Sequence, residues 1–338
     1  MDFIRLMFNP ILADLTLIIF LTRLLAIFVE FHEPLQFLFS INHLMKSFSI
    51  SVPEEFSFDL SLTFLRRSPR ELLHKVNTDY VLKAILVNSK PILFRVGLMG
   101  KNKLKISILN EQLQPSEIEQ VKLFVREWFD LDTDLKPFYE MAKKDQLLGS
   151  LVEKYIGYRI IGQPDLFESL VWAVLGQQIN VQFAYTLKQR FVEGFGERVK
   201  FNNEDYFLFP QPEVVATLTD ADLLPLQFSR QKSKYTILIA EAFTKGDVSK
   251  EQLKNLPLAE AKEKLMKIKG VGNWTANYAL MKTFRYPDAF PLEDAGVHNA
   301  IRNLKGMKTK PTLDQVKRIF KKYKGWEAYA TLYLWKSL

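Results

Sequence analysis

The residue types best suited to chemistry fall in one stretch, LMKIKGVGNWTANYALMKTFRYPDAFPLED, from Leu265 to Asp294. It closes on Glu293 and Asp294, just ahead of a helix-forming run. An aspartate at that place serves as an N-cap, its carboxylate accepting backbone N–H bonds. The helix end favours its negative charge. A carboxylate so held can also steady a cation that develops opposite it, or take a proton from water. Asp288 is a spare acid in the same loop, and Glu293 would point elsewhere than its neighbour. Upstream, Gly270-Val271-Gly272 offers two residues free to adopt positive φ, as a hard chain reversal needs. The N–H groups of such a turn, beside a helix start, form a concavity for a phosphate. Lys264, Lys267 and Lys269 surround it. Each lysine alone reads as solvated surface; turn, helix start and lysines together point to a bound anion. Trp274 and Tyr278 are four apart and share a helix face, and Trp335 is a third aromatic near the end of the chain. Such rings usually fill cores. Lining a cleft, they would attract a cationic ring by about 0.5–2 kcal/mol.

Several elements must position these groups. Lys262 to Ile268 closes a helical run, with Leu265 and Ile268 on one face. Asn273 is the expected N-cap of the next helix, which ends near Thr283. A loop with Pro287 and Pro291 leads to the acids. From Leu135 onward the pattern is helical: Pro137 to Lys154, Pro164 to Leu175, Val181 to Gly194, four segments between Pro212 and Leu256, Gly296 to Leu304, a basic run from Thr312 to Tyr323, and Trp326 to Trp335. Gly176 separates two of these runs, and Gln177, Gln178 and Ile179 fill the turn. Asn202 to Pro212 reads as a loop. The region before Leu135 differs. FSFDLSLTF, from Phe56, alternates with period two, and Tyr80 to Val87, Ile92 to Gly97 and Leu104 to Leu109 are further short β-like runs. Asn88-Ser89-Lys90-Pro91 and Gly100-Lys101-Asn102 supply turns, Ser68-Pro69 opens a short helix through His74, and Pro115 to Asp130 is amphipathic. These features predict an α+β layer, an antiparallel sheet with helices on one face.

Composition narrows the chemistry. With 338 residues, 48% of them hydrophobic, the chain can build two or three domains. Its 46 basic against 38 acidic residues, net +8, favour a polyanionic partner. It has no cysteine, which excludes disulfides, cysteine zinc fingers and cysteine-ligated iron–sulfur clusters. Its four histidines lack ligand spacing, and neither a phosphate-binding P-loop nor a G-x-S-x-G elbow occurs.

The hairpin block carries a resemblance. G-V-G, a helix, and an aspartate about twenty residues on resemble the helix-hairpin-helix DNA glycosylases. The wording GVGNWTANYALM, with tryptophan just after the turn, is most similar to the DNA-3-methyladenine glycosylase II family. The resemblance implies a domain like the TATA-binding-protein fold at 45–142, then an all-α body of two subdomains at 143–338 with the hairpin at 262–283. It implies a monofunctional enzyme that flips alkylated bases, of the 3-methyladenine and 7-methylguanine type, out of duplex DNA and hydrolyses the N-glycosidic bond. Asp294 would be catalytic, and Trp274, Tyr278 and Trp335 would form the base pocket. Gly270, Val271, Gly272 and Lys269 would hold a DNA phosphate. An alkali ion could bridge to it from the carbonyls of Met266, Ile268 and Val271. Members that also cleave the backbone place a lysine nucleophile where this chain has Trp274; Lys282 reads as a surface group. Gln178 stands where the best-known relative has an apolar wedge. Both Gln178 and Ile179 are candidates to fill the hole left by the extruded nucleotide. No cofactor and no catalytic metal are implied, and the expected form is a cytoplasmic monomer, nucleoid-associated when bound to DNA.

The first 44 residues stand apart. Ile11 to Phe31 is rich in Leu, Ile and Phe, but Asp14, Arg23 and Glu30 interrupt it, whereas a membrane-spanning helix needs about 20 largely uncharged residues. It reads as a peripheral anchor, an added helix, or an extension absent from the working protein, which would then start at Met45; stable membrane association is not expected. Against the glycosylase stand a non-catalytic DNA-gripping module, a membrane-associated protein and a bifunctional oxidised-purine enzyme.

Overall fold

A computed structural model describes residues 47–338; the extension at 1–44 and the start at Met45 lie outside the described residues. The first departure from the sequence pattern comes at FSFDLSLTF, which is a helix and not a strand. Ser57 caps it, its side chain accepting the Leu60 N–H at 3.3 Å, and Asp59 occupies the first turn of α1 (Phe58–Leu65). Phe58, Ser61, Leu62 and Leu65 are buried, the spacing of a helix face. Over so short a run, period-two alternation also places apolar residues four apart, and the cap decides.

The sheet is built from β1 (Ser47–Ser51), β2 (His74–Val76), β3 (Tyr80–Val87), β4 (Lys90–Leu98) and β5 (Lys103–Ile108), in the order β1-β5-β4-β3-β2. Strands β2 to β5 pair antiparallel with their neighbours. Asn88 and Ser89 turn β3 into β4 with φ of 50° and 62°. No helix follows Ser68-Pro69; the chain passes through turns into β2, which begins at His74. One sheet face packs Val81, Phe94 and Ile106 against Leu62 of α1 and Val121 and Val125 of α2 (Pro115–Trp128). The other presents Ala84 and Leu93 to Val199, Tyr206 and Leu208. Val199 and Tyr206 belong to a second hairpin, β6 (Arg198–Phe201) and β7 (Glu204–Phe207), where the sequence reads as a loop from Asn202, and Leu208 follows it directly.

The rest is helical. α3 (Lys136–Ala142) and α4 (Gly149–Lys154) split the run predicted as one. α5 (Leu166–Gly176) and α6 (Val181–Phe195) follow, then the short α7 (Pro212–Val215) and α8 (Asp220–Leu223), α9 (Arg230–Thr244), α10 (Lys250–Leu253), α11 (Leu258–Met266), α12 (Asn273–Phe284), α13 (Ala295–Leu304), α14 (Leu313–Phe320) and α15 (Glu327–Lys336). They make two apolar cores, and α12 serves both. Ala276, Ala279 and Leu280 enter the core shared with α5, α6 and α9, while Met281 enters the one shared with α13, α14 and α15. The architecture is thus a small antiparallel sheet layer followed by a helical body of two parts, with α12 between them. Among the described residues no helix is long and apolar enough to cross a membrane.

Candidate active site

Asp294 is the N-cap of α13, its Oδ1 accepting the Val297 N–H at 2.9 Å. Two indole N–H groups converge on the same carboxylate. Trp335 Nε1 donates to Oδ1 at 2.8 Å and Trp274 Nε1 donates to Oδ2 at 3.1 Å. Three N–H donors from three helices thus fix both oxygens of a half-buried acid. Gly296 makes this possible: a Cβ there would lie 2.9 Å from Asp294 Oδ1 and 2.9 Å from Trp335 Cδ1. Sequence reasoning passed over Gly296, whose role is close approach and not backbone freedom. Glu293 is exposed and points elsewhere, accepting from Asn273 Nδ2 at 3.0 and 3.1 Å. Asp288 is exposed as well.

The rings gather around this carboxylate. Trp274 and Tyr278 stack at 5.4 Å between centroids and 26° between planes, and Tyr278 meets Trp335 at 6.2 Å. Because Trp274 and Tyr278 are in contact, they form one aromatic wall and no slot separates them. The wall continues into residues the sequence did not single out. Trp172 Nε1 donates to the Tyr278 hydroxyl at 2.9 Å, and Tyr185 packs on Trp172 at 4.8 Å. Burial holds the Tyr278 phenol above its ordinary pKa.

The turn between α11 and α12 uses one of its two glycines for the reversal. Gly270 has φ +100°, and a Cβ there would press within 2.3 Å of the Tyr235 ring; the Val271 N–H closes the turn on the Ile268 carbonyl at 3.0 Å. Gly272 does not take positive φ. It is itself the N-cap of α12, with φ −89° and ψ −178°, and Asn273 is the first helical residue instead of the cap. Lys264, Lys267 and Lys269 are exposed around the turn, Met266 lies on its approach, and Val271 is buried. A second loop meets this one: Gln177 Nε2 donates to the Gly270 carbonyl at 3.3 Å and to Thr275 Oγ1 at 3.0 Å. Beside it Gln178 stands exposed at φ 57°, whereas Ile179 packs against the aromatic cluster. Lys232 braces this loop from below through the carbonyls of Val174 (3.0 Å) and Gln177 (2.7 Å), and burial lowers its pKa to about 8.

Lys282, which the sequence placed on the surface, is 3% exposed. It is one more step along the Trp274–Tyr278 face of α12, and its Nζ donates to the Ile161 carbonyl. Burial, with Arg67 adding to it, holds its amine far below the usual lysine pKa. Nearby, Lys188 bridges Glu71 at 3.0 Å and Glu168 at 3.2 Å. Burial opposes the charge on Glu71, but Lys188, His74 and the Leu73 N–H together outweigh it and lower the carboxyl to about 2.

This fold and this constellation have counterparts. Residues 171–325 match the HhH-GPD superfamily base excision DNA repair proteins, and residues 57–170 match the 8-oxoguanine DNA glycosylase N-terminal domain. A DNA-3-methyladenine glycosylase of Bacillus subtilis is 41% identical over 291 residues, covering 86% of this chain and 96% of that protein. Among solved structures, a 3-methyladenine DNA glycosylase from Archaeoglobus fulgidus superposes with a TM-score of 0.76 at 22% identity, over 86% of this chain and 97% of that one. A Clostridium acetobutylicum 8-oxoguanine glycosylase/lyase bound to double-stranded DNA gives 0.66 at 21% identity, over 86% and 96%. At such identities the two structures speak to the fold. The chain belongs to the DNA-3-methyladenine glycosylase family, within the HhH-GPD superfamily of base excision DNA repair proteins.

Proposed function

We propose that this chain is a monofunctional DNA glycosylase that removes alkylated bases, of the 3-methyladenine and 7-methylguanine type, from duplex DNA and leaves an abasic site. One observation carries the reading: a carboxylate pinned by Trp274, Trp335 and the start of α13, beside a wall of aromatic rings. A base within a duplex cannot reach such a site, so its nucleotide must swing out. Ile179, packed beside the rings, or Gln178, exposed at the loop tip, fills the vacated space. The hairpin amides and Lys269 grip a backbone phosphate. The extruded base lies on the face of the wall, where a positive charge from alkylation adds attraction. The C1′–N bond breaks with its electron pair leaving on the base, and the Asp294 carboxylate steadies the positive sugar. Water then adds at C1′ and gives up a proton, for which Asp294 is the available base. An alkylated base leaves readily, so no histidine acid is required.

An alkali ion at the hairpin carbonyls of Met266, Ile268 and Val271 would suit the same reading. That of Ile268 accepts the Val271 amide at 3.0 Å, and its second lone pair leaves it able to ligate such an ion, which would strengthen the hold on the phosphate. The enzyme works as a monomer on cytoplasmic DNA.

Asp294→Asn tests the mechanism. Release of abasic sites from methylated duplex should fall by about 100-fold or more, with binding to the same duplex retained. Full activity in the variant would refute the role, and no release by the wild type would favour a module that merely grips DNA. Borohydride should trap no protein–DNA adduct, because Trp274 offers no amine. Lys282 is the amine to watch: it is about 12 Å further along α12 and tied to Ile161. An adduct lost in Lys282→Met would make the enzyme a lyase as well.

A further inference from the structure

The positive charge of the chain is not spread evenly. Residues 302–324 hold nine lysines and arginines against one acid, Asp314, a net +8. That is the whole excess of the chain, whose other 37 basic and 37 acidic residues cancel. The segment covers the end of α13, the connecting loop, α14 and the turn after it. Its apolar side chains face inward: Val316, Phe320 and Tyr323 are buried, and Phe320 stacks on Phe290 of the loop before Asp294, 4.1 Å between centroids. Its cations face out. Lys322 bonds Asp145, and Lys317 lies 3.9 Å from Asp314. Lys305, Lys308, Lys310, Arg318, Lys321 and Lys324 are exposed, and none is in an ion pair among the described residues. Lys317, Arg318 and Lys321 are neighbours at the end of α14, where like charges repel and weaken a helix. A face that had only to be solvated would mix both signs.

The segment also abuts the catalytic loop. His298 lies one turn into α13 from Asp294, with Nδ1 3.0 Å from the Pro311 carbonyl oxygen and Nε2 3.0 Å from that of Leu292. One side chain thus clips the basic loop, next to Lys310, to the loop that carries Asp294. The hairpin meets the same loop at Glu293, through Asn273. We propose that residues 302–324 form a second phosphate-binding surface for duplex DNA, separate from the hairpin, which holds the strands flanking the extruded nucleotide. The proposal rests on the glycosylase reading for its partner. Cations that neutralise phosphates release condensed counterions, a gain that ignores sequence and fades with salt. Such contacts set the register of the duplex and read no base. The segment therefore captures and aligns DNA, while bond cleavage stays with Asp294.

The test compares the full chain with a variant combining Lys305→Gln, Lys308→Gln, Lys310→Gln, Arg318→Gln and Lys321→Gln. A control removes the same charge at exposed sites elsewhere, by Lys101→Gln, Lys103→Gln, Lys105→Gln, Lys143→Gln and Lys144→Gln. Affinity for an undamaged duplex is measured against salt. The first variant should make the slope of log K on log salt shallower by at least about two, the loss of two or more phosphate contacts, with affinity at 0.1 M salt down by roughly fiftyfold or more. A smaller change, or an equal one in the control, overturns the proposal. Wild-type duplex binding with loss of binding to vesicles of anionic phospholipid would give the face to a membrane surface instead. On methylated duplex, single-turnover excision at saturating enzyme should stay within about twofold of the wild type and fall with affinity at limiting enzyme. A comparable fall at saturation would tie the segment to the reacting site and overturn its role in capture. If the wild type excises nothing, the glycosylase reading fails and the undamaged duplex still decides the surface.

Discussion

Asp294 and the Glu71–Lys188–Glu168 triad are two solutions for a carboxylate in a protein interior. The triad neutralises its acids with an ammonium, and its side chains are between 6% and 11% exposed. Asp294 is held only by neutral N–H groups from two indoles and a helix start. Both arrangements satisfy the oxygens. The triad leaves little charge to act on anything else, whereas Asp294 keeps its charge for a cation that arrives later. Placement follows the same logic: Asp294 is half-buried beside the rings, and the triad is closed between the sheet layer and α5. One set of bonds stabilises the fold, and the other keeps a reactive group in place.

The comparison breaks most visibly at Lys188. Lys188→Met removes the ammonium bonded to both buried carboxylates, and removing one partner of a buried pair costs about 3–5 kcal/mol. Urea unfolding should show that loss. Asp294→Asn should hardly move the unfolding midpoint, because asparagine caps a helix about as well as aspartate. If Asp294→Asn destabilised as much as Lys188→Met, the division between structural and functional carboxylates would fail.

Asp130 sharpens the contrast by adding a third solution. It is 2% exposed, and its carboxyl is served by hydroxyls, from Thr133 at 2.6 Å and from Tyr329. Arg159 is near, but its guanidinium donates to the Asp130 backbone carbonyl at 2.5 Å. Burial therefore wins and raises the Asp130 carboxyl from 3.8 to about 7, against the Thr133 bond and Arg159. The folded chain keeps a proton that the unfolded chain gives up above pH 4. Stability from this group is full below that point and falls as pH rises toward 7. His74 runs the other way: burial lowers it from 6.5 to about 4, against the Glu71 charge, so its contribution is lost as pH falls from 6.5 toward 4. Asp130→Asn should gain stability relative to the wild type by on the order of 2 kcal/mol between pH 5 and pH 8, measured by denaturant unfolding. A difference that does not change with pH would place a charged carboxylate at Asp130 after all.

Much of the helical body was legible because its signals are local. The Gly270 reversal, the ring spacing on α12 and the cap at Asp294 depend on residues within a turn or two of each other. What was missed depends on partners distant in sequence. Lys282 looks like surface on a helical wheel, yet α12 is packed between two cores, so even its polar positions are inside. Trp172 and Tyr185 belong to other helices, and nothing in their own segments ties them to Tyr278. The strand reading of FSFDLSLTF failed where two periods fit one short run and Ser57 arbitrated. The hairpin at Arg198–Phe207 did have a local signal, Asn202-Asn203 between alternating runs; both asparagines take positive φ, 49° and 62°, as a two-residue turn requires.

The finest test acts on the space between Asp294 and Trp335. In Gly296→Ala the new methyl group would lie 2.9 Å from Asp294 Oδ1 and 3.1 Å from Trp335 Nε1, the two atoms of one hydrogen bond. Oδ1 is tied to the Val297 amide, so the indole is the group that must shift. Its loss as a donor to a charged acceptor is worth about 1.5–3 kcal/mol in place, and partial adjustment leaves an expected drop in excision of about tenfold. Stability should change far less, since alanine is favoured over glycine in a helix by about 1 kcal/mol, which offsets much of the strain. DNA binding through the hairpin should persist. Excision at the wild-type rate would mean that Trp335 only packs, and that Trp274 and the helix start suffice to hold the carboxylate where the sugar needs it.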